Sequence, residues 1–272
     1  MPTFDADGIS LHYETHGASG RQMLLLHGTT GRSTSFSPLV PYLRDEATLY
    51  IPDLRGHGQS GHVPGGYRVV DFAADIASFI KGRMQKSAVI VGHSLGGLIG
   101  IALAATSPEL VTGLIIEDAP LWLRRFSVRD GSERAYRFFS DLHELCVATQ
   151  DEAELRARIA RELPEVAARE TADLPSRLAT IDPDVLRMSF DNSLMDHFEI
   201  DRSLASIECP TLILQADITQ GGSLSDEDGG AALELLGPGQ LIAVPGSGHA
   251  IHEDNPQQMS RLIREWLAES GL

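Results

Sequence analysis

Four short apolar runs in the first half of the chain restrict its fold more than any other feature. Met23-Leu24-Leu25-Leu26, Leu49-Tyr50-Ile51, Ala88-Val89-Ile90-Val91 and Gly113-Leu114-Ile115-Ile116 are continuous rather than alternating. A strand that is apolar on consecutive residues must be covered on both faces, the condition of a parallel sheet between helical layers. Between the second and third runs, Phe72, Ile76, Phe79 and Ile80 recur at helical spacing within Val69 to Arg83. Strand, helix and strand in succession predict an α/β chain with a doubly wound, mostly parallel sheet.

The pattern breaks after Pro120. From Trp122 to about Ser203 the periodicity is helical and the composition charged, and Pro164, Pro175 and Pro183 divide the stretch into short helices. Strand character returns at Cys209-Pro210-Thr211-Leu212-Ile213-Leu214. A helix is expected from about Asp226 to Leu236, its first turn acidic with Asp226, Glu227 and Asp228, then a strand at Leu241–Val244 and a last helix from about Pro256 to Glu269. The expected organisation is one sheet domain, residues 1–120 and 204–272, interrupted by a helical insertion over 121–203.

Charge narrows the range of partners. With 22 Lys and Arg against 38 Asp and Glu, the formal net charge of −16 repels phosphate and disfavours nucleic acid and anionic membrane. The two cysteines, Cys146 and Cys209, stand in no Cys-x-x-Cys or metal-type spacing, so neither a disulfide scaffold nor a structural metal is expected. The first residues lack a basic segment followed by an apolar one, and the least polar stretch, Leu95 to Ala105, is too short to span a bilayer. A cytoplasmic protein is the expectation, with a small molecule as its partner, no cofactor, and a homodimer left open.

The chemistry concentrates where the third run ends, in Gly92-His93-Ser94-Leu95-Gly96-Gly97. A serine on a sharp strand-to-helix turn needs small residues two positions to either side, and Gly92 and Gly96 provide them. An ordinary loop with a solvated serine would look similar, but the strand before and the helix after favour a nucleophile. A neutral hydroxyl attacks poorly, so a base is required elsewhere. His249, in the glycine-flanked loop after the last strand, fits best of the ten histidines, while His252 reads as a helix-proximal or solvated neighbour. The backbone N–H of Leu95 is one donor for an oxyanion. Thr29, in the loop His27-Gly28-Thr29-Thr30-Gly31 after the first run, is the candidate for the second.

Taken together, His27-Gly28, Asp53-Leu54-Arg55-Gly56-His57-Gly58-Gln59-Ser60, Gly92 to Gly97 and Gly248-His249 stand in an order and spacing that resemble the α/β-hydrolase family. The resemblance implies a serine hydrolase of Ser-Asp-His type, with the insertion as a cap over the site and Asp53 to Ser60 as a structural loop beside it. The acid departs from the common pattern. Most of the family takes it after the strand that follows the cap, where Asp217 stands early. A minority takes it from the strand end before the cap, where Asp118 stands, and position favours Asp118 with Asp217 as the alternative. Glu117 should face the other side by strand alternation. A serine at the elbow sets aside the haloalkane dehalogenases and epoxide hydrolases, which need a carboxylate nucleophile there.

The insertion opens with Trp122, then Arg124, Arg125, Arg129, Arg134 and Arg137 against Asp130 and Glu133. Arginine forks recognise carboxylates, so Arg124 and Arg125, with Trp122 beside them, are candidate contacts for an acid-bearing substrate. The competing reading is that they neutralise the acidic remainder of the chain. Phe126, Phe138, Phe139, Met188, Phe190, Met195 and Phe198 could line a pocket or form the insertion's own core. The expected activity is hydrolysis of a carboxylic ester, lactone or amide through an acyl-enzyme. A carbon–carbon bond hydrolase of the same fold and a receptor that has lost turnover stand as alternatives.

Overall fold

A computed structural model describes residues 2–18, 20–122, 133–168 and 172–272. The sheet has eight strands: β1 Thr3–Ala6, β2 Ile9–His16, β3 Gln22–Leu26, β4 Thr48–Pro52, β5 Ala88–His93, β6 Val111–Glu117, β7 Thr211–Ala216 and β8 Gly239–Val244. They lie in the order β1-β2-β4-β3-β5-β6-β7-β8. β1 pairs antiparallel with β2 and β2 antiparallel with β4; every later pairing is parallel.

The apolar runs are buried on both faces because successive side chains enter different cores. Leu24, Leu26, Ile90, Leu114, Ile116 and Ile213 join one core with Phe72 and Ile76 of the helix Val69–Phe79. Met23, Leu25, Val89, Val91, Ile115 and Leu212 join the other with Ile263 and Trp266 of the helix Pro256–Glu269. Burying one such side chain contributes roughly 1.5–3 kcal/mol before chain entropy is set against it. Two cores on one sheet are what continuous apolar strands encode.

Two local features went beyond the sequence reading. Asp7 and Gly8 both hold positive φ, 52° and 95°, and turn β1 into β2 as an Asp-Gly hairpin, an edge pair that the apolar runs do not announce. The helix expected to reach Arg83 is α-helical only to Phe79 and then widens into a π-helical turn over Ile80–Met84, closed by Gln85 at φ 59°.

Between β6 and β7 the described residues form helices and turns and no strand. The helices are Glu133–Ala148, Glu152–Glu162, Pro164–Ala167, Leu174–Leu178, Pro183–Phe190 and Ile200–Ala205. The last runs past residue 203 and packs against the helices Leu95–Thr106 and Asp226–Leu235 of the sheet layer. Among the described residues no helix is long and apolar enough to cross a membrane, and no group of His, Cys, Asp or Glu side chains is placed to hold a metal ion.

Candidate active site

The chain leaves β3 toward β4 on one side and returns to β5 on the other, so the strand order reverses at β3. Open α/β sheets bind ligands at the carboxyl ends of the strands around such a reversal. His27 and Gly28 follow β3, Ser94 follows β5, Asp118 follows β6 and the loop carrying His249 follows β8. Residues far apart in sequence therefore meet at one end of the sheet.

Ser94 sits at φ 52°, ψ −114°, a conformation costly for any residue with a side chain, between β5 and the helix Leu95–Thr106. Surrounding contacts hold it there. A Cβ on Gly92 would overlap the Gly96 carbonyl, and a Cβ on Gly96 would overlap the Leu26 carbonyl, so the helix start is pressed onto β3 and β5. Ser94 N–H donates to the Glu117 carbonyl at 3.0 Å, and the Ser94 carbonyl accepts from Gly97 at 2.9 Å. Leu95 occupies the first helical position, where a backbone N–H has no intrahelical acceptor.

His249 Nδ1 lies 2.7 Å from Asp118 Oδ2. Asp118 is fully buried and accepts three backbone N–H bonds: Ala216 at 3.1 Å, Leu224 at 3.2 Å and Ser223 at 2.7 Å. Asp217 is occupied elsewhere. Its Oδ1 accepts from Thr219 N–H at 2.9 Å and its Oδ2 from Gly246 N–H at 3.0 Å, so it ties the turn after β7 to the loop that carries His249. The imidazole is held by the acid before the helical insertion, and the later acid shapes the loop.

A cavity of about 770 Å³ is lined by Ser94, His249, Thr29, Phe138, Phe139 and Arg177, among others. Gly28 lies against the elbow, since a Cβ there would stand 3.2 Å from the Ser94 Cβ and 2.9 Å from His93 Nδ1. Its carbonyl is engaged within its own loop by Gly31 N–H at 2.9 Å and His27 Nδ1 at 2.8 Å. Of the other candidates, Trp122 is buried in the first core, donates its indole N–H to Asp201 at 2.7 Å, and is not among the residues lining this cavity. Arg124, Arg125 and Phe126 lie outside the described residues. Met188, Met195 and Phe198 are core, and Phe190 meets the rings of Tyr136 and His143.

Sequence reasoning missed two parts of this region. His252 is buried rather than solvated, and its Nδ1 and backbone N–H both reach Glu117 Oε1 at 2.8 Å. Glu117 does face away from Asp118, as strand alternation requires, and buries completely with His252 below the site. The ring of His93 stands 4.6 Å from that of His249 and 4.9 Å from that of His252, and His93 Nε2 lies 3.1 Å from the His249 carbonyl. Arg177, on the short helix Leu174–Leu178, was the other omission. An arginine inside one turn of an insertion helix carries no sequence signal that separates a cavity wall from a surface.

Burial disfavours the charged form of three histidines here, His27, His57 and His93. Burial, reinforced by His57, lowers the His27 pKa to about 3, and its Nε2 accepts the Leu54 N–H at 3.0 Å. Burial, reinforced by His249 and His252, holds His93 well below its usual value. Groups with depressed folded pKa values bind protons in the unfolded chain first, so stability is lost as pH falls below about 6.5. For His252 burial is the largest influence and lowers the pKa, but Glu117 outweighs it and the net shift is upward, so its contribution is complete below about 6.5 and constant there. Denaturant unfolding at pH 6.5 and pH 5 should therefore show a loss of about 1.5 kcal/mol from His27, with His93 and the equally buried His57 acting in the same direction. Relief of the −16 charge toward the pI near 4.9 acts in the opposite direction, and a flat or rising stability would refute the assignment.

The fold and the residues at its strand ends now meet known proteins. The profile described as "Alpha/beta hydrolase family" matches residues 23–262. The chain belongs to the alpha/beta hydrolase family. Over 114 residues it is 40% identical to the 2-(acetamidomethylene)succinate hydrolase of Mesorhizobium japonicum, a match spanning 42% of this chain and 41% of that one. Over 251 residues it is 24% identical to the pimeloyl-[acyl-carrier protein] methyl ester esterase of Xylella fastidiosa, covering 92% of this chain and 96% of the relative. Among solved structures, E-2-(acetamidomethylene)succinate hydrolase superposes with a TM-score of 0.76 at 25% identity, over 98% of each chain. A hydrolase from Pseudomonas aeruginosa gives 0.76 at 21% identity, covering 98% of this alpha/beta hydrolase and 97% of its own chain, which is likeness of fold alone. Hydrolases and an esterase are thus what this alpha/beta hydrolase is similar to.

Proposed function

We propose that the protein is a cofactor-free serine hydrolase that cleaves a carboxylic ester, lactone or amide of a small molecule through an acyl-enzyme. The observation that carries this reading is Ser94 at φ 52° in the wall of the same cavity as His249, whose far nitrogen is 2.7 Å from buried Asp118. In this mechanism His249 removes the Ser94 proton as the hydroxyl attacks the carbonyl, then returns it to the leaving group. Asp118 holds Nδ1 protonated, so that Nε2 is the basic nitrogen, and stabilises the imidazolium. The N–H groups of Leu95 and Thr29 receive the oxyanion. Water activated by the same imidazole then releases the acid.

The helices between β6 and β7 act as the cap in this reading, with Phe138 and Phe139 supplying an apolar wall. The relatives include a methyl ester esterase and a 2-(acetamidomethylene)succinate hydrolase, which supports acyl transfer to water and leaves the leaving group open. Intact-mass analysis after exposure to a fluorophosphonate tests the reading. One adduct per chain is expected, absent from Ser94→Ala. A folded wild type that takes up no adduct, or a Ser94→Ala chain that still takes one, refutes it.

A further inference from the structure

We propose that the cavity holds a carboxylate seat formed by Arg177 and His252, with Glu253 between them, so that the preferred substrates carry a free acid group besides the acyl bond. The proposal rests on the reading of Ser94 as the nucleophile in that cavity. Arg177, His252 and Glu253 all line it together with Ser94 and His249.

The geometry is that of an ion cluster held short of contact. Arg177 Nη1 and His252 Nε2 approach the same Glu253 oxygen, each at 3.9 Å, too far for a hydrogen bond from either. Arg177 is 8% exposed and also reaches Asp173 at 3.3 Å. His252 is 1% exposed, its Nδ1 is engaged by Glu117, and its Nε2 has no hydrogen-bond partner. A buried donor of this kind is expensive to leave unmet, and a carboxylate placed between it and the guanidinium would meet both. Glu117 beneath His252 favours the charged imidazole: burial, the largest influence, opposes the proton, and the Glu117 carboxylate outweighs it.

Charge balance decides how a second anion could enter. Facing Glu253 are His252, Arg177, Asp173 and Glu117; Arg32 reaches Asp173 at 3.8 Å, and the His93 ring stands between those of His252 and His249, at 4.9 and 4.6 Å. Among the described residues, Glu253, Asp173 and Glu117 already oppose Arg32, Arg177 and His252, so an arriving carboxylate would add negative charge to an already acid-rich cluster. Glu253 relieves this. Burial pushes its carboxyl upward, against the pull of His252 and Arg177, so it is the acid readiest to take a proton or turn aside as the ligand binds. Ligand carboxylate replaces side-chain carboxylate, and the cation pair is kept.

Two substitutions then act with opposite sign, which a merely structural role would not produce. In a Ser94→Ala background, binding of the monomethyl esters of succinic, glutaric and adipic acids is measured by calorimetry at neutral pH against the corresponding dimethyl esters. At least one half-ester should bind about tenfold or more tighter than its neutral counterpart. Arg177→Gln should reduce that preference about tenfold or more, and Glu253→Gln should increase it. Preference for the dimethyl esters, no half-ester binding up to about 10 mM, or weakening by both substitutions would overturn the seat. The assay needs no turnover. Failed fluorophosphonate labelling with intact half-ester preference would count against the nucleophile and not against the seat.

Discussion

Ser94→Ala and His249→Ala are each expected to reduce kcat by about 10⁵–10⁶, and the double variant to be no slower than the worse single one. In the proposed mechanism the hydroxyl and the imidazole perform one act: without the base the hydroxyl stays protonated, and without the hydroxyl the base has no proton to move. Additive losses would mean that the two residues work independently, and the acyl-enzyme mechanism would fall. In the proposed mechanism background hydrolysis above the water rate should survive, because the N–H groups of Leu95 and Thr29 would still polarise a bound carbonyl. Ser94→Ala should also fold normally. Alanine carries the same Cβ through φ 52°, and the Ser94 backbone bonds to Glu117 and Gly97 remain, so stability should change by about 1 kcal/mol or less.

Legibility from sequence followed the range of the forces involved. β3 to β7 and the elbow were readable because their signals are local: continuous apolar residues for two-sided burial, and Gly92 and Gly96 where only hydrogen fits between a helix start and β3. The Asp7-Gly8 hairpin went unread although its signal is equally local, since its two positive φ angles suit that dipeptide. Glu117 with His252 was not readable, because a buried acid–imidazole pair exists only once β6 and the loop after β8 are side by side. The choice between Asp118 and Asp217 was of the same kind. It turns on where β6 and β7 end, with Asp118 N–H bonding the Leu214 carbonyl at 2.8 Å while Asp217 N–H bonds Ser247 in the next loop. Trp122 shows the opposite failure: an aromatic residue near arginines suggested a binding wall, yet burial of its ring in the core and its bond to Asp201 account for it.

That choice of acid has the second large consequence. Asp118→Asn is expected to lower kcat by about 10⁴, while Asp217→Asn should lower it less than about tenfold. Asp118 Oδ1 accepts from both Ala216 and Leu224, so an asparagine would keep its carbonyl oxygen there and place its NH2 where Oδ2 now faces Ser223 N–H and His249 Nδ1. Donor would then face donor at Ser223, costing about 1–3 kcal/mol of stability. At His249 the amide would require a bare Nδ1, which moves the ring proton to Nε2, the nitrogen that must receive the serine proton. The result is an imidazole in the wrong tautomer, a kinetic defect much larger than the loss of one hydrogen bond. Asp217 touches neither ring nor elbow. Its substitution loosens the tie to Thr219 and Gly246 and should appear mainly as a lower Tm. Comparing kcat and Tm for the two variants separates the roles, and a 10⁴-fold loss in Asp217→Asn with an active Asp118→Asn would reassign the acid.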